Sequence, residues 1–244
     1  GPGTGKTTII RFITAIMENM GLDVALTAPT GRAAKRMNDA TGHDARTIHR
    51  LLEYVPGEGF LRNADDPLYS DMVIVDEMSM VDVSLMNALL KATPVGTRLI
   101  MVGDSDQLPS VGAGEVLRDI IASGAIRVVR LDEIFRQAQE SMIVTNAHRI
   151  NEGFAPVLDV PESDFVFEDF ASQDRILDRM IDVCSHPGNI LATSEPLLDV
   201  QVLAPMKKGV LGVWNVNAKL QAALNPPDQD RKEHISGDSI LREG

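Results

Sequence analysis

Gly1-Pro2-Gly3-Thr4-Gly5-Lys6-Thr7-Thr8 runs straight into apolar residues at Ile9, Ile10, Ile13, Ile16, Met17 and Met20. That spacing predicts a helix over 7–20, closed by Gly21. A glycine-rich turn feeding a helix N-terminus constrains the fold more than any other feature here. Its backbone N–H groups converge on one point and, with the helix dipole, favour a polyphosphate there. On this basis Gly1, Pro2, Gly3, Thr4, Gly5, Lys6, Thr7 and Thr8 form a nucleotide cradle. Lys6 reaches the β- and γ-phosphates, and the Thr7 hydroxyl takes a Mg²⁺ position. The full spacing, G-x-x-x-x-G-K-S/T, has a further glycine five residues before Gly5 and an apolar strand ahead of it. The chain is therefore expected to be part of a longer polypeptide.

Behind the loop, short apolar runs alternate with helical patterns. Strands are predicted at 24–27, 72–75, 98–102 and 127–131, and helices at 32–41, 83–90 and 116–122. Strands that are apolar throughout and alternate with helices argue for an α/β fold, a parallel sheet with helices on both faces. Ligands of such sheets sit at the carboxyl ends of the strands. Asp76-Glu77 and Gly103-Asp104 both fall at such ends.

One stretch breaks the alternation. Residues 52–62 read as two short arms around Pro56-Gly57-Glu58-Gly59, an inserted hairpin projecting from the sheet within 52–70. A helix is predicted over 138–150, and the Gly- and Pro-bearing stretch 151–163 is expected to link domain 1–150 to a second region, 164–244. That region carries predicted strands at 164–168 and 200–204, helices at 173–184 and 213–224, and a polar, turn-rich tail from Asn225. It reads as the incomplete start of a second α/β domain.

Charge narrows the partners only a little. The net charge of −12 argues against a broad basic surface for nucleic acid, yet a groove needs only a few placed donors. Arg32, Lys35, Arg36, Arg46 and Arg50 form a basic cluster whose plainest reading is a solvated helix face. The single cysteine, Cys184, excludes an intrachain disulfide framework and leads to the expectation of a reducing, cytoplasmic setting. No apolar run approaches the roughly 18–20 residues of a membrane span, so no membrane partner is expected.

The acids at the strand ends give the loop its chemistry. Asp76, after an apolar strand, can hold the shell of a Mg²⁺ ion, and the adjacent Glu77 can orient and deprotonate a water. The competing reading is a polar strand end that caps the next helix. Gln107, in Gly103-Asp104-Ser105-Asp106-Gln107-Leu108-Pro109, can bond a γ-phosphate or its attacking water, or simply face solvent. Arg136, in Phe135-Arg136-Gln137, can stabilise charge on a transferring phosphate, or lie on the surface like most arginines.

Taken in order, the loop, Thr27-Ala28-Pro29-Thr30-Gly31-Arg32-Ala33-Ala34, Val75-Asp76-Glu77, the Gln107 segment and Phe135-Arg136-Gln137 resemble superfamily 1 DNA helicases. Within these they are similar to the RecD/TraA branch, the group containing the alpha subunit of exodeoxyribonuclease V. Further matches are Thr47-Ile48-His49-Arg50-Leu51-Leu52, Asn146-Ala147-His148-Arg149-Ile150-Asn151 and Val202-Leu203-Ala204-Pro205-Met206-Lys207. The resemblance implies a P-loop, RecA-like motor that uses Mg²⁺ and ATP to move 5′ to 3′ on single-stranded DNA or at a duplex junction. By it, Lys6 and Thr7 bind phosphate and metal, Asp76 binds metal, Glu77 is the base, and Gln107 and Arg136 sense the γ-phosphate. Pro29, Thr30, Gly31 and Arg32 line the DNA path, His49 packs beside that groove, and the hairpin helps split or guide strands. Nuclease-helicase subunits are the implied protein partners. The family's later motifs have no match here, so this stretch alone is expected not to unwind a duplex. Two other readings stay open. An AAA-type remodelling ATPase shares the loop and the Asp-Glu pair but gives no reason for segments 27–34 and 103–109. The other is a non-catalytic, nucleotide-gated DNA-binding subunit of a nuclease complex; retention of both Lys6 and Glu77 argues against a dead motor, though not against a partner requirement.

Overall fold

Met72 and Ile74 face one way along a strand, Val73 and Val75 the other, and each pair sits in its own hydrophobic cluster. This alternation organises residues 1–166, the first of two units into which the chain divides; the second is 167–244. The computed structural model describes residues 4–131, 141–186, 199–228, 231–236 and 239–243.

The first unit runs α1 (Lys6–Asn19), β1 (Val24–Ala28), α2 (Gly31–Thr41), β2 (Ala45–Thr47), α3 (Ile48–Leu51), β3 (Tyr54–Val55), β4 (Gly59–Phe60) and β5 (Met72–Val75). A 3-10 turn (Met78–Met80) follows, then α4 (Val83–Ala92), β6 (Arg98–Met101), α5 (Val116–Ser123) and α6 (Met142–Asn151). Strands pair in the order β2-β1-β5-β6, all parallel, with Ala25 opposite Val73 and Val73 opposite Leu99. The expected α/β architecture is thus present.

All four residues of β5 are buried, as a central strand of a doubly covered sheet requires. On one face Met72 and Ile74 meet Ile10 of α1, Leu26 of β1 and Met37 of α2. On the other, Val73 and Val75 meet Ile48, Leu52, Met78, Leu89 and Val116. Helix starts are fixed by short polar side chains. Thr30 accepts the Ala33 N–H, Asp82 the Leu85 N–H and Ser141 the Val144 N–H, each satisfying a donor that has no partner within its helix.

The inserted hairpin is present as β3 and β4, antiparallel, with Tyr54 opposite Phe60. Arg62 ties its base together, donating to Glu53 at 2.9 and 3.0 Å and to Asp66 at 3.1 Å.

Among the described residues three predicted strands do not form, while β2 and the short helix α3 were not expected. Residues 127–131 pair with no strand among the described residues, and Val128 and Val129 are exposed. Segments 164–168 and 200–204 are likewise unpaired. An apolar run becomes a strand only when a neighbour takes its N–H and C=O groups, and composition does not report that. Conversely β2, whose middle residue is Arg46, pairs with β1 because Leu26 and Ala28 lie opposite Ala45 and Thr47.

The stretch 151–163, expected as a linker, is held to the first unit. Buried Asn146 of α6 donates to Val157 O at 2.8 Å and accepts the Val157 N–H at 2.7 Å. Asp164 accepts the N–H groups of Met142 and Ile143 at the start of the same helix. Gly and Pro mark irregular backbone rather than a lack of contacts, and the division falls instead between Val166 and Phe167.

In the second unit α7 (Gln173–Ser185) packs on α8 (Val213–Leu224). The tail read as turns forms an antiparallel hairpin, β7 (Glu233–Ser236) and β8 (Ser239–Arg242), fastened to α8 by Gln221 donating to Ile240 O at 2.7 Å. Two helices and a hairpin are the regular elements among its described residues.

Ile74 is fully buried at the centre of the sheet. Ile74→Ala should lower unfolding free energy by about 2–5 kcal/mol, the usual cost of such a cavity, measured by urea denaturation. A loss under about 1 kcal/mol would mean that β5 is not the packed centre of the unit.

Candidate nucleotide site

Gly5 turns the loop into α1 in a left-handed conformation, φ 80° and ψ 20°, which glycine adopts without steric penalty. No side chain caps this helix and no acid stands in its first turn. The positive end of the α1 dipole is therefore not offset by an acid in its own first turn. Lys6 begins the helix, with Nζ 3.5 Å from Asp104 Oδ2, a buried carboxylate just past β6. Thr4 is buried and Thr8 exposed. Gly1, Pro2 and Gly3 lie outside the described residues.

Thr7 lines a crevice with Ala33, Arg36, Met37, Asp76 and Glu77. Three elements meet there because β1 and β5 pair in parallel: the start of α1, one face of α2 and the end of β5. The Asp76 N–H donates to Thr27 O at 2.9 Å, continuing the strand pairing one residue past β5. Its Oδ1 accepts the Glu77 N–H at 2.9 Å. Glu77 then turns left-handed, φ 53° and ψ 43°, a conformation that costs a non-glycine residue on the order of 1–2 kcal/mol. The turn is locked from behind by the Met78 N–H donating to Val102 O at 3.0 Å. Gly103 permits that approach. A Cβ there would lie 2.7 Å from Leu117 Cδ2 and 3.1 Å from the Met78 backbone nitrogen.

The two acids are held in an uncomfortable state. Burial raises Asp76 above its ordinary value, offset in part by the Glu77 N–H, Arg36 and Lys6. Burial also raises Glu77, and the neighbouring Asp76 charge adds to it, while Arg36 and Lys6 pull back. Glu77 Oε1 is 3.7 Å from the Arg36 guanidinium; Oε2 is buried and has no hydrogen-bond partner among the described residues. A buried carboxylate oxygen without a donor is uncommon in folded proteins.

Gln107 is exposed, and its Oε1 receives a long hydrogen bond from the Ser79 hydroxyl at 3.5 Å. It is thereby tethered to the 3-10 turn that follows Glu77. Arg136 lies outside the described residues. Pro29, Thr30, Gly31 and Arg32 sit where β1 passes into α2; Thr30 is occupied as helix cap, while Arg32 is exposed. His49, on α3, packs its ring edge-on to Tyr54 at 5.5 Å and against Phe60 at 5.6 Å. This joins it to the hairpin rather than to the acids.

The donors present fit Mg²⁺. One carboxylate, Asp76, and one hydroxyl, Thr7, share the crevice, and Mg²⁺ commonly takes one or two carboxylates plus substrate phosphates and waters. Among the described residues no group of three or more His, Cys, Asp or Glu could hold a metal alone. Sequence reasoning passed over two contacts. Asp104 stood at a strand end with no assigned partner, and Arg36 was only one member of a basic cluster. The second was traceable, since Ala33, Arg36 and Met37 share one helical face.

The family described as AAA domain matches residues 1–166. An ATP-dependent RecD2 DNA helicase from Deinococcus radiodurans is 40% identical over 226 residues, 93% of this chain and 30% of that protein. The RecBCD enzyme subunit RecD from Mycobacterium tuberculosis is 39% identical over 150 residues, 52% of this chain and 26% of that protein. The chain thus spans less than a third of the length of these relatives. A solved structure of two coordinating Pif1 helicases, concerned with unwinding at forked duplex DNA, is similar at 19% identity and a TM-score of 0.49, over 98% of this chain and 58% of that one.

The raised acids make stability depend on pH. Above the ordinary values of 3.8 and 4.5 the folded chain holds more protons than the unfolded one, so stability falls as pH rises through the folded values. Glu77→Gln should remove much of that fall. In chelator-containing buffer its urea midpoint should exceed that of the unmodified chain at pH 7, with the difference shrinking toward pH 4. A lower midpoint for the variant at pH 7 would mean that the Arg36 pairing outweighs burial.

Proposed function

The chain belongs to the AAA domain family, and on that premise we propose that it works as an ATP-driven motor on single-stranded DNA, a superfamily 1 helicase of the RecD/TraA branch. The observation that carries the proposal is Glu77, held in a left-handed turn with one carboxylate oxygen buried and without a hydrogen-bond partner among the described residues. It shares a crevice with Thr7, which follows directly on Lys6 at the open end of α1. The similarity to an ATP-dependent DNA helicase over 93% of the chain supports the same reading.

In this proposal the triphosphate lies against Gly1 to Thr8, its β- and γ-oxygens met by the N–H groups of α1 and by Lys6. Binding would draw Lys6 from Asp104 to phosphate. Thr7 and Asp76 would hold Mg²⁺, which supplies charge neutralisation on the β/γ-phosphates when bound. Glu77 accepts a proton from the attacking water, and its raised proton affinity brings it closer to neutral pH, where a base works best. Gln107, tethered through Ser79 to the turn after Glu77, would report the γ-phosphate back to that turn. Arg136 would neutralise charge as the bond to the leaving phosphate breaks.

The strand would run past Pro29, Thr30, Gly31 and Arg32, with Arg32 giving a phosphate contact and the His49, Tyr54 and Phe60 rings an apolar wall. Movement 5′ to 3′ and assembly with nuclease-helicase subunits are proposed by resemblance, the second in keeping with a relative named as a RecBCD subunit. No helix among the described residues is long and apolar enough to cross a membrane, and a cytoplasmic setting is proposed.

The test is ATP hydrolysis by the full-length chain with and without single-stranded DNA. Lys6→Ala should weaken ATP binding by about 1.5–3 kcal/mol, the worth of a hydrogen bond to a charged group. Glu77→Gln should keep ATP affinity while turnover falls by about 10²–10⁴-fold. Undiminished hydrolysis by Glu77→Gln would remove that residue from the chemistry.

A further inference from the structure

We propose that Arg36 is a positioning residue for Glu77. From the second turn of α2 its guanidinium holds one carboxylate oxygen of the base and ties it to the helix whose first turn lies on the DNA path. The inference rests on the function proposed above and assigns a role to a residue that no part of that mechanism uses.

Geometry is its support. Arg36 Nη1 stands 3.7 Å from Glu77 Oε1, and this is the ion pair that Glu77 makes among the described residues. The other oxygen has no partner, so Arg36 is the side chain that sets which way the carboxylate faces. The two ends of the pair differ in exposure: the Arg36 side chain is 71% exposed and that of Glu77 17%. A guanidinium on an open surface can be drawn off by a phosphate or by water, whereas the carboxylate cannot follow it, being fixed in the turn that Met78 and Val102 lock. The contact is therefore a weak charge–charge attraction, which biases where the carboxylate rests more than it stabilises the fold.

The helix between the two sites is stiff. Thr30 caps α2 at one end, Thr41 donates to Met37 O at the other, and Ala33, Ala34 and Met37 are buried along its length. Asn38 accepts the Ala45 N–H, which binds α2 to β2. Arg32 and Arg36 are separated by one turn, about 6 Å along the axis. A shift of the first turn, where Arg32 would meet a strand, is thus carried to Arg36 without an intervening joint. Lys6 also faces Glu77, but it belongs to α1 and is engaged by Asp104 at 3.5 Å. Of the two cations, Arg36 is the one mounted on the helix that bears Arg32.

The experiment is steady-state ATP hydrolysis by the full-length chain, with single-stranded oligonucleotide present and absent, together with ATP and oligonucleotide affinities by fluorescence. For Arg36→Ala the expected result is a fall in DNA-stimulated kcat of about tenfold or more, with KM for ATP and oligonucleotide affinity within about twofold. Arg36→Lys, which keeps a cation without the planar fork, should restore part of the loss. In the Glu77→Gln background, removing Arg36 should produce no further fall, because the two act as a unit. A rise in KM matching the fall in kcat would overturn the inference by making Arg36 a phosphate contact. A loss of oligonucleotide affinity would overturn it by making Arg36 a strand contact, and an unchanged kcat would overturn it outright. Absence of hydrolysis by the unmodified chain is a separate outcome: it would overturn the proposed function and the role of Arg36 with it.

Discussion

The parallel pairing of β5 between β1 and β6 is the constraint on which everything else hangs. Parallel strands in one sheet deliver their carboxyl ends to the same edge, so Thr27, Asp76 and Val102 become neighbours through the hydrogen bonds that continue the ladder. Burial of Met72 to Val75 on both faces holds that edge in register, since a slip of one residue would send Val73 and Val75 to the wrong cluster. Without that register, Glu77 would not face α2, nor Gln107 the turn beside it.

What the ladder assembles is electrostatically costly. Two adjacent acids are half-buried at a strand end, one of them in a left-handed turn, and the cations near them are shared or exposed. A fold under selection for stability alone would gain by neutralising such a pair. The opposed arrangement, with an anion-seeking helix end on one side and proton-hungry acids on the other, suits a ligand that brings its own negative phosphates and a cation between them. Strain and unmet charge are thus concentrated where the ligand would relieve them.

The predicted α/β alternation and both helix-bearing faces were readable because apolar periodicity is a local signal. The Gly5 turn, the acids after β5 and the hairpin around Gly57 were readable for the same reason. Strands 127–131, 164–168 and 200–204 were over-read, since apolar composition carries no information about a pairing partner. The polar strand β2 and the tail hairpin were under-read for the converse reason. At 151–163, Gly and Pro suggested a free linker, yet one buried amide, Asn146, is enough to hold that chain in place.

The sequence by itself determined the chemical vocabulary: a glycine-bearing loop before a helix, a lysine and a threonine at its start, and paired acids after an apolar strand. These depend on neighbours along the chain, where spacing and residue type settle the outcome. Only the tertiary structure decided that Lys6 meets Asp104, that Glu77 leaves one oxygen buried and unbonded, and that Arg36 reaches the other. Those contacts join residues distant in sequence. They exist because sheet register and helix packing bring the side chains to within a few ångströms, a condition that no local pattern encodes.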